Sequence, residues 1–196
     1  MSPIRIFVAS LAVAGVLAGM GAGTATAAAV SRFDDGSFET PTVAANTFVN
    51  LGTGASIGPW KVTAGNVDHI GDGFWQAAEG GQSVDLNGGG AGTVEQTFTT
   101  VPGKRYSVTY SLAGNPAGGP SVKTGSLLID GQNFRNFTFD ITGKSFGNMG
   151  YVTQEVTFVA RGTSTTLAFA STNGSAYGPV IDDVRVSACT PCPSCD

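Results

Sequence analysis

The chain has 196 residues, of which 12% are charged and 29 are glycine, with a formal net charge of −4. Soluble domains average about 25% charged residues and about 7% glycine. The composition therefore excludes a helical bundle, which needs Ala, Leu, Glu and Lys at the helical period. It also excludes a disordered chain, because aromatic and β-branched residues recur throughout. The mildly acidic balance, with no run of like charge, excludes an electrostatic footprint for nucleic acid or for an anionic membrane.

In chain order, the first signal is a short basic start at Arg5, followed by an uncharged apolar stretch from Ile6 to Met20. Small residues then lead to Ala25-Thr26-Ala27 and Ala27-Ala28-Ala29, both of the form that signal peptidase accepts. Residues 1–29 read as a secretory signal peptide. The other reading is an uncleaved anchor from Ile6 to Val30, just long enough to span a bilayer. Cleavage removes one base and no acid, leaving 9 basic and 14 acidic residues. A cleaved protein has no membrane segment and lies outside the cell, free or associated with the wall.

After the signal, hydrophobicity alternates with period two in short runs separated by Gly, Pro, Asn and Asp. The clearest run is Arg105 to Leu112, where Tyr106, Val108, Tyr110 and Leu112 share one face. Further strands are predicted around Trp60 to Thr63 and over Gln82 to Asn87, Thr93 to Thr99, Thr124 to Asp130 and Phe134 to Asp140. Val152 to Ala160, Ser164 to Ser171 and Pro179 to Ser187 complete the set. About nine to eleven short strands make an all-β sandwich or barrel. Tyr106, Val108, Tyr110, Phe158, Leu167 and Phe169 are the predicted core. Asp130-Gly131 between two strand-like runs predicts a hairpin. One domain is drawn over 30–187, with a tail over 188–196.

Four groups of residues could carry chemistry. Asp35-Gly36-Ser37-Phe38-Glu39 lies near one end of the domain and Gly178 to Val186 near the other. Strict alternation puts Val180, Asp182, Val184 and Val186 on one face, so Asp182 needs compensation. Backbone amides or an indole N–H could supply it, and so could a structural calcium held by Glu39 and Asp182 with Asp183 in reserve. The stretch from Trp60 to Asn87 holds both tryptophans, the only histidine and several acids. That mixture suits sugar, since flat rings stack on pyranose faces and amides or carboxylates bond the hydroxyls. Trp60 reads as core, whereas Trp75, among polar residues and glycines, reads as an exposed platform. His69 is either a structural hydrogen-bonder or a ligand. Asp68 and Asp85 would be the acid pair if the chain were a glycoside hydrolase.

The last group is Cys189, Cys192 and Cys195, the only cysteines. Three cannot all pair within one chain. They leave open a local disulfide with one free thiol, a disulfide-linked partner, a metal with a further ligand, or thiols of no consequence. Asn136-Phe-Thr138 and Asn173-Gly-Ser175 match the glycosylation sequon.

The ordered motifs resemble a known family. They run through Asp35 to Glu39, Trp60-x-Val62, Gly65 to Asp68, Trp75-x-Ala77-x-x-Gly80 and Gln82 to Gly88. Gln96-x-Phe98, Pro102-Gly103-x-x-Tyr106, Leu112 to Asn115, Asn148 to Tyr151, Phe158 and Gly178 to Val184 follow. This pattern resembles the bacterial choice-of-anchor C domain, which is similar to the domain of unknown function (DUF642) of plant cell-wall proteins. The resemblance covers nearly all of the mature chain. It implies a galactose-binding-like jelly-roll β-sandwich, a structural calcium at Glu39 and Asp182, and polysaccharide binding outside the cell without catalysis. Trp75, Asn115, Tyr151 and Tyr177 are the candidate carbohydrate-binding residues, the two tyrosines because they lie in glycine-bounded loop stretches. The chain departs from the bacterial pattern in its three-cysteine tail and from the plant pattern in its single, cysteine-free core. The leading expectation is a secreted, non-catalytic carbohydrate-binding module. The alternatives are a structural surface or matrix protein acting through partners or its cysteines, and a glycoside hydrolase.

Overall fold

The computed structural model describes residues 33–189. The predicted signal peptide, Cys192 and Cys195 lie outside the described residues. Twelve strands follow in order: β1 Phe48–Gly52, β2 Ser56–Ile57, β3 Trp60–Ala64, β4 Asn66–Ile70, β5 Ser83–Asp85 and β6 Thr93–Thr99. Then come β7 Arg105–Gly114, β8 Val122–Ile129, β9 Gln132–Asp140, β10 Val152–Val159, β11 Ser164–Ser171 and β12 Pro179–Ala188. They form two six-stranded antiparallel sheets, ordered β1-β4-β5-β12-β7-β10 and β2-β3-β6-β11-β8-β9.

From β5 onward successive strands cross from one sheet to the other, except at the β8–β9 hairpin. The quartets β5-β12-β7-β10 and β6-β11-β8-β9 have the strand order of a jelly roll built from two Greek keys. The predicted hairpin is present. Asp130 and Gly131 both have positive φ (50° and 74°), as a two-residue type I′ turn requires. Asp130 also accepts a hydrogen bond from the Thr166 N–H on β11, tying the turn to the sheet.

The core lies between the sheets. Tyr106, Val108, Tyr110 and Leu112 face inward from β7 as their alternation requires, and Phe158, Leu167 and Phe169 are buried with them. Trp60 is fully buried. Its Nε1 donates to the Asp35 carbonyl (2.9 Å) and its ring packs on Phe38 at 5.1 Å and Phe33 at 5.7 Å.

The alternation expected for the last strand does not hold. Asp182 stands opposite Ser111, but Arg185 stands opposite Thr109, so Asp183 and Val184 together face Tyr110. This is a β-bulge, with Asp183 at φ 48°. Directly opposed residues share a sheet face. Ile181 therefore points into the core with Leu112, and Asp182 points outward with Ser111. Beyond the bulge Val184 is again buried. Asp182 and Val184 are thus not on one face, because the extra residue resets the parity.

The same bulge joins the two ends of the domain. Val184 N–H donates to the Gly36 carbonyl at 2.8 Å. The Asp35 carboxylate accepts from the Glu39 and Thr40 N–H groups and holds the segment in a tight turn. A Cβ on Gly36 would overlap the Val184 carbonyl. Gly36→Ala should therefore cost about 3 kcal/mol and lower Tm by about 10 °C, measured by differential scanning calorimetry. An unchanged Tm would show that the contact yields.

Candidate functional site

The outer face of the first sheet carries a polar row. Asn50 on β1 opposes Asp68 on β4, Asp68 opposes Asp85 on β5, and Asp85 opposes Val180 on β12. Above this row lies a cleft of about 420 Å³ whose lining includes Asn50, Asn66, Asp68, Phe74, Asn115 and Tyr177. Asn50 Nδ2 donates to Asp68 Oδ1 at 2.7 Å. Asn66 Oδ1 accepts from the Gly89 N–H at 2.8 Å.

One end of the cleft is a wall of four aromatic rings. Phe74 packs edge-on against Phe48 (5.5 Å) and Trp75 (5.3 Å) and is tilted against Phe146 (5.5 Å). Phe48 and Phe146 are 45% and 40% exposed, whereas Trp75 is only 4% exposed. The expectation of Trp75 as an exposed platform is corrected here. Its indole N–H donates to the Ser83 hydroxyl at 2.9 Å, which turns the ring down onto the sheet. It still contributes to the wall, but Phe48, Phe74 and Phe146 present the open surface. Sequence reasoning missed these three, although Phe74 beside Trp75 in a glycine-rich segment was a usable signal.

The other end is built on buried polar groups. Asp85 is wholly buried and does not line the cleft. Its carboxyl accepts from Asn87 N–H (2.9 Å), Gly178 N–H (3.1 Å) and Asn115 Nδ2 (2.8 Å). Asn115 is thereby spent largely on structure, with its Oδ1 accepting from Ala117 N–H. Lys123 is buried too, and its Nζ donates to the Gly118 (2.6 Å) and Tyr177 (2.9 Å) carbonyls. This clamps the two loops that hold Tyr177, which is 39% exposed at the cleft edge. Gly118 is required beneath it, since a Cβ there would overlap the tyrosine ring.

Three of the four expected binding residues, Trp75, Asn115 and Tyr177, therefore meet at one cleft. Tyr151 is not among its lining residues, and its hydroxyl is buried, which raises its pKa. Asp68 reaches the cleft but Asp85 is sealed beneath it. The pair thus lacks two carboxyls flanking one ligand bond, the arrangement glycoside hydrolysis uses.

The expected calcium ligands hold a loop instead. Asp182 Oδ2 accepts from Ala78 and Glu79 N–H (2.7 and 3.1 Å), and its Oδ1 from Asp183 N–H (2.6 Å). Glu39 Oε1 accepts from Gly81 and Gln82 N–H (3.0 and 2.9 Å). The two carboxylates grip four amides of one segment, 78–82: Asp182 those of Ala78 and Glu79, Glu39 those of Gly81 and Gln82. Asp183 pairs with Arg185 at 2.7 Å. Calcium takes six to eight oxygen ligands, whereas both Asp182 oxygens and Glu39 Oε1 are met by N–H groups whose positive ends oppose a cation. Among the described residues no group of three or more His, Cys, Asp or Glu side chains could hold a metal. The residues present do not fit calcium. His69 is structural: it is buried, with Nε2 at 2.7 Å from the Phe38 carbonyl. Cys189 is a free thiol whose N–H donates to the Arg105 carbonyl.

The model of the family described as "Protein of unknown function (DUF642)" matches residues 31–187. Halomucin from Haloquadratum walsbyi is 33% identical over 144 residues, covering 72% of this chain and 2% of that protein. The chain thus spans about 2% of the length of that relative. Among solved structures, a family 35 carbohydrate binding module from Clostridium thermocellum is 11% identical (TM-score 0.49), covering 72% of this chain and 99% of that one. A CBM35 from Paenibacillus barcinonensis is 14% identical (TM-score 0.45), covering 73% and 99%. TmCBM61 in complex with β-1,4-galactotriose is 15% identical (TM-score 0.46), covering 81% and 98%. Likeness at these identities and scores carries no argument about ligand.

Two measurements follow from the buried acids. Burial, opposed by amide donors, pushes Asp85 up to about 8 and Asp182 up to about 7, against 3.8 for a free aspartate. Each binds its proton more tightly folded than unfolded. The stability they contribute is complete below about pH 4 and is lost as pH rises through 7 to 8. Tm should fall between pH 4 and 8, and Asp85→Asn should flatten that slope whatever its absolute Tm. A Tm rising over this range would contradict the assignment. EDTA should leave Tm unchanged, and a drop on chelation restored by calcium would reverse the conclusion on Glu39 and Asp182.

Proposed function

This chain belongs to the family described as "Protein of unknown function (DUF642)", and we propose that it is a secreted, non-catalytic module that binds extracellular or cell-wall polysaccharide. The observation that carries this reading is the cleft on the outer face of the first sheet. Exposed Phe48 and Phe146 rings stand at one end, Tyr177 at the other, and Asn50, Asn66 and Asp68 lie between them. An apolar ring surface beside a few placed polar groups suits a sugar, whose C–H face stacks while its hydroxyls hydrogen-bond. The wall and the far end are both held by buried hydrogen bonds, so the site is preformed and little ordering entropy is lost on binding. The apolar run and small-residue sites of residues 1–29 support secretion. The burial of Asp85 supports binding without turnover. The sequence resemblance to the choice-of-anchor C domain agrees with a surface location.

The test is binding to a panel of soluble and insoluble polysaccharides by affinity electrophoresis and pull-down. Phe146→Ala and Tyr177→Ala should each weaken binding about tenfold or more, since one aromatic contact contributes about 0.5–1.5 kcal/mol beyond its buried area. Both should leave Tm within a few degrees of the parent. Absence of binding across the panel by a protein that melts cooperatively, or release of reducing sugar, would overturn the proposal.

A further inference from the structure

Resting on the glycan reading above, we propose that the cleft is selective for neutral glycan and rejects chains carrying uronate or sulfate. None of the fourteen residues lining the cleft is Lys, Arg or His, and the only charged one is Asp68. Lys123 lies beneath the Tyr177 end, but it is buried and its amine is spent on two backbone carbonyls. The only histidine is buried against the Phe38 carbonyl.

Several N–H groups at the cleft are turned inward as well. Gly88 N–H donates to the Asn66 carbonyl and Gly89 N–H to Asn66 Oδ1. Asn50 Nδ2 donates to Asp68, Asn115 Nδ2 to Asp85, and Trp75 Nε1 to Ser83. Asp68 uses Oδ1 on Asn50, so its Oδ2 remains an acceptor. The donors that remain at the cleft, on the Asn66, Asn50 and Asn115 amides and the Tyr177 hydroxyl, are neutral. Hydroxyl groups can bond both these donors and the Asp68 acceptor, whereas no positive charge is there to meet an anion. Carboxylates and sulfates bring only acceptors and a charge of the same sign as Asp68, in a half-enclosed space where screening is weak. The faces of the phenylalanine rings are also negative, so the wall offers an anion nothing.

The experiment uses the full chain and one polysaccharide it binds, in three forms: native, oxidised at C6 to carboxylates, and oxidised then methyl-esterified. The expected result is binding at least about tenfold weaker to the oxidised form at low salt. Methyl esterification should restore most of it. Asp68→Asn should narrow the ratio between native and oxidised forms, whatever it does to either affinity alone. Equal or tighter binding of the oxidised form would overturn this inference and leave the glycan reading standing. So would a ratio that Asp68→Asn leaves unchanged, because the discrimination would then be steric. Failure of every polysaccharide form to bind would overturn the glycan reading and this inference with it.

Discussion

The extra residue in β12 sets the parity of the central strand of the first sheet, and much of the outer face depends on that parity. With the bulge at Asp183, Ile181 and Val184 fill the core while Asp182 turns outward. From there its carboxylate takes the amides of Ala78 and Glu79, and Glu39 takes those of Gly81 and Gln82. Those four N–H groups would otherwise be partly buried without partners, at a cost of about 1–3 kcal/mol each. The loop is fixed at the level of its backbone, which sets where Phe74 and Trp75 begin. The Val184 N–H meets the Gly36 carbonyl beside the same bulge. One backbone irregularity therefore closes the domain and supports the aromatic wall.

A second buried framework supports the opposite end of the cleft. Asp85 gathers Asn87, Asn115 and Gly178, and Lys123 gathers Gly118 and Tyr177. No ion pair joins them: the single salt bridge among the described residues is the exposed Asp183–Arg185 contact. The carboxyl of Asp85 and the amine of Lys123 are each met by backbone or amide dipoles, which fix the loop positions. The arrangement carries strain of an electrostatic kind, since burial raises the Asp85 pKa and lowers that of Lys123. Buried polar groups of this sort are retained where geometry matters, and here the geometry they hold is that of the cleft's edge.

The fold was largely legible in the sequence because most of its strands are buried on one face and alternate. β6 and β11 match their predicted bounds, and the hairpin at Asp130-Gly131 follows from its turn chemistry. β1 and β2 were not predicted. Both are edge strands, and β1 is exposed along most of its length, so it shows no alternation to read. β4 was missed because Asn66-Val-Asp-His-Ile mixes the polar floor of the cleft with a buried histidine. The site was less legible. Tyr177 was singled out by its glycine-bounded stretch and Asn115 within the motif Leu112 to Asn115, and both line the cleft, but the burial of Trp75 depends on a hydrogen bond to Ser83 that no local pattern encodes. Phe48, Phe74 and Phe146 come from three separate segments and become one surface only after folding. The face of Asp182 was misread because a bulge leaves no trace in hydrophobic periodicity, although backbone amides were among its expected partners.

The direction of β12 has a bearing on how such a module is mounted. Tyr177 and the cleft lie at the start of this strand, whereas Ala188 at its far end pairs with Tyr106, and Cys189 is bonded to Arg105. Ten residues of strand at about 3.3 Å each separate the two ends by about 30 Å. Anything coupled through Cys189 therefore attaches at the pole of the sandwich remote from Tyr177. A molecule tethered there would hold its cleft outward, clear of the surface that carries it.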